Sequence, residues 1–221
     1  MIVSSKLPVI IIGTGLVARQ VAEILNQQDF VVYGFLSLHP GRESLSALND
    51  IPVLGALQDL TFQKLLKTEQ IHFIVADTEP TIVAQESVKI TELTGNQPIS
   101  AIHQQAILSP SLTMGVGNII YAGTVAGPNC DLASFIQLGA GCVLEGDCQI
   151  DSRSVVASKA AIGSGVVIEE DVYIGSGAVI APGIRIGKAA KIAPGSVVIS
   201  SVPANVTVFG NPATELKSKK T

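Results

Sequence analysis

Between residues 108 and 198 an apolar side chain recurs at every sixth position through sixteen consecutive hexads: Leu108, Met114, Ile120, Ala126, Leu132, Leu138, Leu144, Ile150, Val156, Ile162, Ile168, Ile174, Ile180, Ile186, Ile192 and Val198. Neither the helical period of 3.6 nor the two-residue alternation of an ordinary strand generates that spacing. A hexad period predicts a parallel β-helix, in which each short strand points one large apolar residue inward and then turns a corner. The companion positions fit this geometry. The residue after the anchor is usually small, as at Gly115, Gly127, Gly139, Gly163, Gly175 and Gly187. Three residues past it a turn former is frequent, as at Gly123, Asn129, Asp147, Gly165, Asp171 and Gly177. Gly, Asn and Asp tolerate the left-handed backbone that tight corners require.

Ahead of the repeat the pattern changes. Pro8, Val9, Ile10, Ile11 and Ile12 form a continuous apolar run, followed by Gly13, Thr14, Gly15 and a stretch with Val17, Val21, Ile24 and Leu25 at helical spacing. This predicts a strand, a glycine turn and a helix. Residues 30–36 read as a second strand, 58–67 as a helix, 72–76 as a third strand and 80–93 as another helix. Strands alternating with helices predict a small parallel sheet of Rossmann type. The expected fold class is therefore an α/β Rossmann-like domain over residues 1–100, then an all-β parallel β-helix over 101–208, with 209–221 as a closing segment and tail.

Composition sets limits on this picture. Of 221 residues, 47 % are hydrophobic and 14 % charged, a globular balance with enough apolar material for a full core. The mean hydropathy of +0.47 is high, yet Gly, Pro and polar residues break every apolar run well short of the roughly 20 residues a membrane span needs. Met1 opens onto a strand-like segment with neither a charged leader nor a small-residue cleavage site, so a cytoplasmic protein is expected. A net charge of −4 and a pI near 5.3 argue against nucleic-acid binding. The one basic cluster, Lys217, Lys219 and Lys220, reads as a solvated tail. Cys130, Cys142 and Cys148 share one hexad phase, which makes them small core residues in a reducing compartment in preference to metal ligands or disulfide partners. No metal site is expected.

Gly13, Gly15 and Ala18 follow the buried first strand with the spacing of a phosphate-binding turn at a helix N-terminus. Two readings stand: a nucleotide site, or a purely structural glycine turn. The second strand ends Gly34, Phe35, Leu36, Ser37, Leu38, His39 without a carboxylate for a ribose, so dinucleotide redox chemistry is not expected.

The order of these parts resembles the sialic acid O-acetyltransferase and UDP-amino-sugar N-acetyltransferase group (NeuD/PglD type). The features that carry the resemblance are a small Rossmann-like domain, a lead-in at Ile102 and His103, hexapeptide repeats, and a closing Val202, Pro203, Ala204, Asn205 with Gly210, Asn211, Pro212, Ala213. It covers nearly the whole chain. The resemblance implies a left-handed β-helix, a homotrimer, and an N-terminal domain that holds a sugar or nucleotide sugar, with Gly13, Thr14, Gly15 and Ser37 as substrate-binding candidates. It also implies acetyl-CoA as cosubstrate between neighbouring subunits, past Val155, Ser176 and Pro194.

The family's catalytic motif, roughly Ile-Asn-Thr-Gly-x-x-Val-Glu-His-Asp, falls without gaps on residues 138–147. Its Asn falls on Gly139 and its general-base His on Gly146; a second His, which contacts acetyl-CoA, falls on Val155. The family's acidic pair after the second strand falls on Ser37 and Leu38. Glu145 and Asp147 remain as the catalytic candidates. General-base catalysis is worth about 10²–10⁴-fold; a sugar hydroxyl depends on it, whereas an amine brings its own lone pair. The expected function is acyl-CoA-dependent acylation of an amino sugar or nucleotide-linked sugar destined for surface polysaccharide. The alternative is a non-catalytic trimeric ligand-binding or scaffold protein of the same family, with Glu145 and Asp147 as ordinary solvated corner residues. The histidines do not replace the base: His103 reads as a structural residue of the lead-in, His72 opens a buried strand, and His39 lies in a loop near the nucleotide turn.

Overall fold

The computed structural model describes residues 7–38, 47–68 and 71–216, so His39, Lys217, Lys219 and Lys220 lie outside the described residues. The chain divides into two compact units, 1–104 and 105–221, slightly later than the change in composition.

The first unit runs β1 (Leu7–Ile12), α1 (Leu16–Asn26), β2 (Phe30–Ser37), β3 (Ala47–Leu48), β4 (Ile51–Ala56), α2 (Leu60–Leu66), β5 (His72–Val75) and α3 (Pro80–Thr94). Its sheet has the order β3-β4-β2-β1-β5, parallel except for β3. The apolar run of β1 occupies the centre, with Val9 to Ile12 fully buried beside Phe73, Ile74 and Val75 of β5. Such continuous burial is expected of a strand covered on both faces. Helix α1 turns Val17, Val21, Ile24 and Leu25 inward. Helix α2 starts at Asp59, whose side chain accepts the Thr61 N–H at 2.8 Å. Helix α3 opens with Pro80 and ends at Gly95 in left-handed conformation (φ 80°). The hydrophobic pattern does not predict β4. Pro52 and Gly55 interrupt it, and most of its residues are half-buried, so neither an apolar run nor a clean alternation appears.

Over residues 107–198 the second unit is built from two-residue strands on three parallel ladders, paired at a spacing of eighteen residues: Val125 with Val143, Asp131 with Gln149, Gln137 with Val155; the third ladder then takes Thr207–Gly210 at a spacing of sixteen. The chain visits the ladders in turn and completes a lap every three hexads. The second residue of each strand is the hexad anchor, and every anchor from Ile120 to Val198 is buried. A buried aliphatic side chain contributes about 1.5–3 kcal/mol, so the anchors supply what strands this short cannot supply themselves. Leu108 and Met114 are less covered because each lies in the first strand of its ladder.

The outward residues give each ladder its character. The first carries Ile107, Val125, Val143, Ala161, Val179 and Val197, with Ile107 66 % and Val179 44 % exposed. The second carries Thr113, Asp131, Gln149, Val167 and Arg185; the third carries Gln137, Val155, Tyr173, Lys191 and Thr207. Three stacks of corner residues separate them. Corner A (Ala140, Ser158, Ser176, Pro194) lies between the third and first ladders, corner B (Pro128, Gly146, Ser164, Pro182) between the first and second, and corner C (Ser152, Glu170, Lys188) between the second and third. Backbone bonds join the laps at each corner, as from Gly177 N to Ser158 O (3.0 Å) and from Gly165 N to Gly146 O (3.0 Å).

Side chains reinforce corner C. Arg153 donates twice to Asp171, at 2.6 and 2.9 Å, and pairs with Glu170, which also pairs with Lys188. Arg185 bonds Glu169 at 2.8 Å. Lys188 and Arg153 hold the Glu170 carboxyl below the usual carboxylate range. The three thiols are buried. Cys130 donates to Glu145 O at 3.0 Å and Cys148 to Gly163 O at 3.3 Å, and burial pushes the Cys142 and Cys148 thiols up to about 11.

The glycines fall into two classes. A Cβ on Gly139 would stand 2.4 Å from Ser158 N, whereas one on Gly165 (φ 65°) meets nothing within 4 Å. Lys159 and Asp147 already occupy equivalent left-handed corners. In urea unfolding followed by circular dichroism, Gly139→Ala should therefore cost about 2–3 kcal/mol of stability and Gly165→Ala only about 1 kcal/mol.

Candidate functional site

In the first unit the candidate residues gather at the carboxyl edge of the sheet. Gly13 follows β1 with φ 137°, and a Cβ there would stand 2.2 Å from Ala76 O. Its N–H donates to Leu36 O at 2.8 Å. Gly13 is thus required by the packing of β1 against β5. Gly15 is different: it is the N-cap of α1, exposed, with extended backbone, no side-chain cap and nothing within 4 Å of a built Cβ. The first turn of α1 holds no acidic residue, so its N–H groups and the positive end of the helix face an open edge. Thr14 is half-buried between the two glycines, while Ser37 is fully buried at the end of β2, its carbonyl accepting the Leu57 N–H at 3.0 Å.

The sheet order reverses at β1, whose two neighbours are β2 and β5, and the crevice outside such a switch point is where α/β sheets take ligands. Its second lip carries a residue that belongs to no motif. Asp77, half-buried just past β5, accepts the Glu79 N–H at 3.1 Å and the Thr78 hydroxyl at 3.3 Å. The signal for it was a lone carboxylate placed directly after the buried run of 72–76.

In the second unit Glu145, Gly146 and Asp147 form one turn of corner B. Both carboxylates are exposed and both brace a neighbouring lap: Glu145 Oε2 accepts the Ser164 N–H at 2.9 Å, and Asp147 Oδ1 accepts the Asn129 side-chain N–H at 3.1 Å. A Cβ on Gly146 would meet Pro128 O at 3.2 Å and Pro128 Cγ at 3.3 Å. A side chain at 146 therefore needs Pro128 to yield by a few tenths of an ångström. Val155, half-buried, lies on the third ladder, and Ser176 and Pro194, both exposed, stack with Ser158 at corner A. Corners A and B border opposite margins of the apolar first ladder. One chain does not bring the two groups of candidates together.

Comparison with known proteins bears on this arrangement. Residues 165–200 match the family model for the bacterial transferase hexapeptide (six repeats), and no curated protein sequence matches the chain. Solved structures match almost its full length. A point mutant of perosamine N-acetyltransferase from Caulobacter crescentus, in complex with CoA and GDP-perosamine, is 26 % identical over 96 % of this chain and 97 % of its own, with a TM-score of 0.88. The acetyltransferase domain of PglB from Neisseria gonorrhoeae, in complex with acetyl coenzyme A, is 25 % identical over 96 % and 100 %, with a TM-score of 0.84. The chain has the architecture of sugar N-acetyltransferases. WeeI from Acinetobacter baumannii, 24 % identical over 94 % and 99 % with a TM-score of 0.66, shares the fold. Among the described residues no helix is long and apolar enough to cross a membrane, and no three His, Cys, Asp or Glu side chains are grouped to hold a metal ion.

The two glycines of the turn separate structure from ligand contact. Gly13→Ala should cost about 3 kcal/mol in urea unfolding, and Gly15→Ala less than about 1 kcal/mol. Equal costs would assign Gly15 the same packing role as Gly13.

Proposed function

We propose that the protein is an acyl-CoA-dependent N-acyltransferase that acetylates the amine of a nucleotide-linked or free amino sugar, in the cytoplasm, for surface polysaccharide. The observation that carries this reading is the match along nearly the whole chain to an N-acetyltransferase bound to CoA and GDP-perosamine. In this reading the second unit is a left-handed β-helix and the protein a homotrimer of the NeuD/PglD type. The first unit holds the sugar nucleotide at its carboxyl edge, with Thr14 and Gly15 at the phosphates and Asp77 at a sugar or ribose hydroxyl. The apolar first ladder supports self-association, because an exposed hydrocarbon face of this length is costly in water. Packing it between copies would set corner B of one copy, with Glu145 and Asp147, opposite corner A of its neighbour, with Val155, Ser176 and Pro194 nearby.

The chemistry suits an amine. The neutral amine attacks the thioester carbonyl, the C–N bond forms and the C–S bond breaks; the proton passes through water by way of Asp147 or Glu145 to the departing thiolate. With Gly146 where the family's base falls, about 3–5 kcal/mol of base catalysis is missing. Orientation of the two substrates must supply the acceleration. A second reading is favoured by two observations: Pro128 crowds Gly146, and both carboxylates already brace adjacent laps. That reading is a non-catalytic trimeric ligand-binding or scaffold protein.

Calorimetric titration with acetyl-CoA, followed by turnover assays with UDP- and GDP-linked amino sugars, tests the first reading. Micromolar binding with acetylated product is expected. Binding without product selects the non-catalytic reading, and no binding removes the acyltransferase. For the assembly, light scattering should give a trimer for the native protein and a monomer for Val179→Arg, with unchanged far-ultraviolet dichroism; a trimeric variant would exclude the first ladder as the interface.

A further inference from the structure

Two glutamates of the second unit stand at equivalent positions and are held differently. Glu145 and Glu169 each follow a buried anchor, Leu144 on the first ladder and Ile168 on the second. Each reaches to the corner residue nineteen positions on: Glu145 Oε2 accepts the Ser164 N–H at 2.9 Å, and Glu169 Oε2 accepts the Lys188 N–H at 2.8 Å. Among the described residues neither N–H joins the ladder or corner bonds of the backbone. In both places a carboxylate satisfies a donor that the solenoid leaves over.

The second oxygen separates the pair. Glu169 Oε1 accepts from the Arg185 guanidinium, sixteen residues on, at 2.8 Å. Arg185 and the Lys188 N–H hold the Glu169 carboxyl below the usual carboxylate range. The position equivalent to Arg185 at corner B is Ala161, which has no side-chain donor. Glu145 Oε1 accordingly meets neither donor nor cation among the described residues, at the margin of a ladder whose outward residues are Val125, Val143, Ala161 and Val179. Asp147 differs again: it lies past corner B, at the entry to the polar second ladder, with Oδ1 engaged by Asn129.

A carboxylate pinned through one oxygen by a rigid backbone donor, with the other oxygen unopposed, is preorganised to receive a proton. Resting on the N-acyltransferase reading above, we infer that Glu145 Oε1 takes the proton of the attacking amine and that the Ser164 N–H is the positioning group that aims it. As the amine nitrogen bonds the thioester carbonyl carbon, its N–H proton passes to Oε1. When the C–S bond breaks, the departing thiolate takes that proton, leaving an amide, a thiol and Glu145 again as carboxylate. Glu169, with both oxygens engaged, only braces corner C.

Corner B itself supplies the means to separate these roles. Pro128 and Pro182 occupy positions in the same stack as Ser164, so Ser164→Pro removes one N–H where the corner accepts proline and breaks no ladder bond. Glu145→Gln keeps an oxygen for the Ser164 N–H but no longer takes a proton. In turnover assays of the full-length protein with acetyl-CoA and UDP- or GDP-linked amino sugars, Glu145→Gln should lower kcat about 100-fold. Ser164→Pro, with native dichroism, should lower kcat about tenfold. Both should leave KM for the two substrates unchanged, and Glu169→Gln should keep the native kcat. Native kcat in Glu145→Gln or in Ser164→Pro, or losses confined to KM, would overturn the assignment while the native protein still turns over. Absence of product from the native protein would instead overturn the N-acyltransferase reading, and this assignment with it.

Discussion

The pairing of each strand with the strand eighteen residues away, through backbone hydrogen bonds in ladders and corners, is the constraint on which the second unit depends. A strand of two residues has no stability of its own; each is held by the strands before and after it, and each lap buries its anchors only because the next lap covers them. Stability in such an array is a sum over neighbouring laps. The same register decides which side chains meet. It sets Asn129 against Asp147, Arg153 against Asp171 and Cys130 beside Cys148, and it brings Ser158 so close to Gly139 that no Cβ fits between them.

Much of this was legible in the sequence because the hexad period and the strand register are the same fact. The anchors from Ile120 to Val198 are the buried residues of the ladders, and the apolar run before Gly13 is the central strand of the first unit. What was not legible has physical causes. Strand β4 contains a proline and a glycine and is half-exposed, so its pairing with β2 comes from the neighbouring strand and not from its own pattern. Phe135, Arg153, Lys159 and Ala189 adopt left-handed corners that their side chains do not favour; the lap geometry imposes the conformation. At the carboxyl edge, Gly13 and Gly15 look alike in sequence, yet one is a packing requirement and the other faces open space. Asp77 carries no motif; its one signal is a carboxylate directly after the apolar run of 72–76, and only the order of the strands places it at the crevice.

The candidate chemistry is distributed by the same geometry. Three ladders and three corners give the second unit faces of different character on one regular backbone: hydrocarbon on the first ladder, polar groups on the second, a mixed aromatic and cationic surface on the third, and a closed ion-pair network at corner C. A corner repeats every lap, so a residue placed there is presented at a fixed height and direction by backbone that is already fully bonded. Such rigidity favours precise presentation of a reactive group. At corner B two carboxylates, Glu145 and Asp147, stand at such positions and brace adjacent laps, so their orientation is coupled to the integrity of the array.

The last residues bear on a different property. Ala213–Glu215 fold back antiparallel to Thr207–Gly210, the final strand added to the third ladder. A parallel ladder has no intrinsic length: its terminal strand offers unpaired N–H and C=O groups on which a further chain could grow, the route by which edge strands seed fibres. A reversed strand at that position consumes those groups and presents the opposite polarity. The short C-terminal turn-back thus closes that end of the third ladder to a further parallel strand.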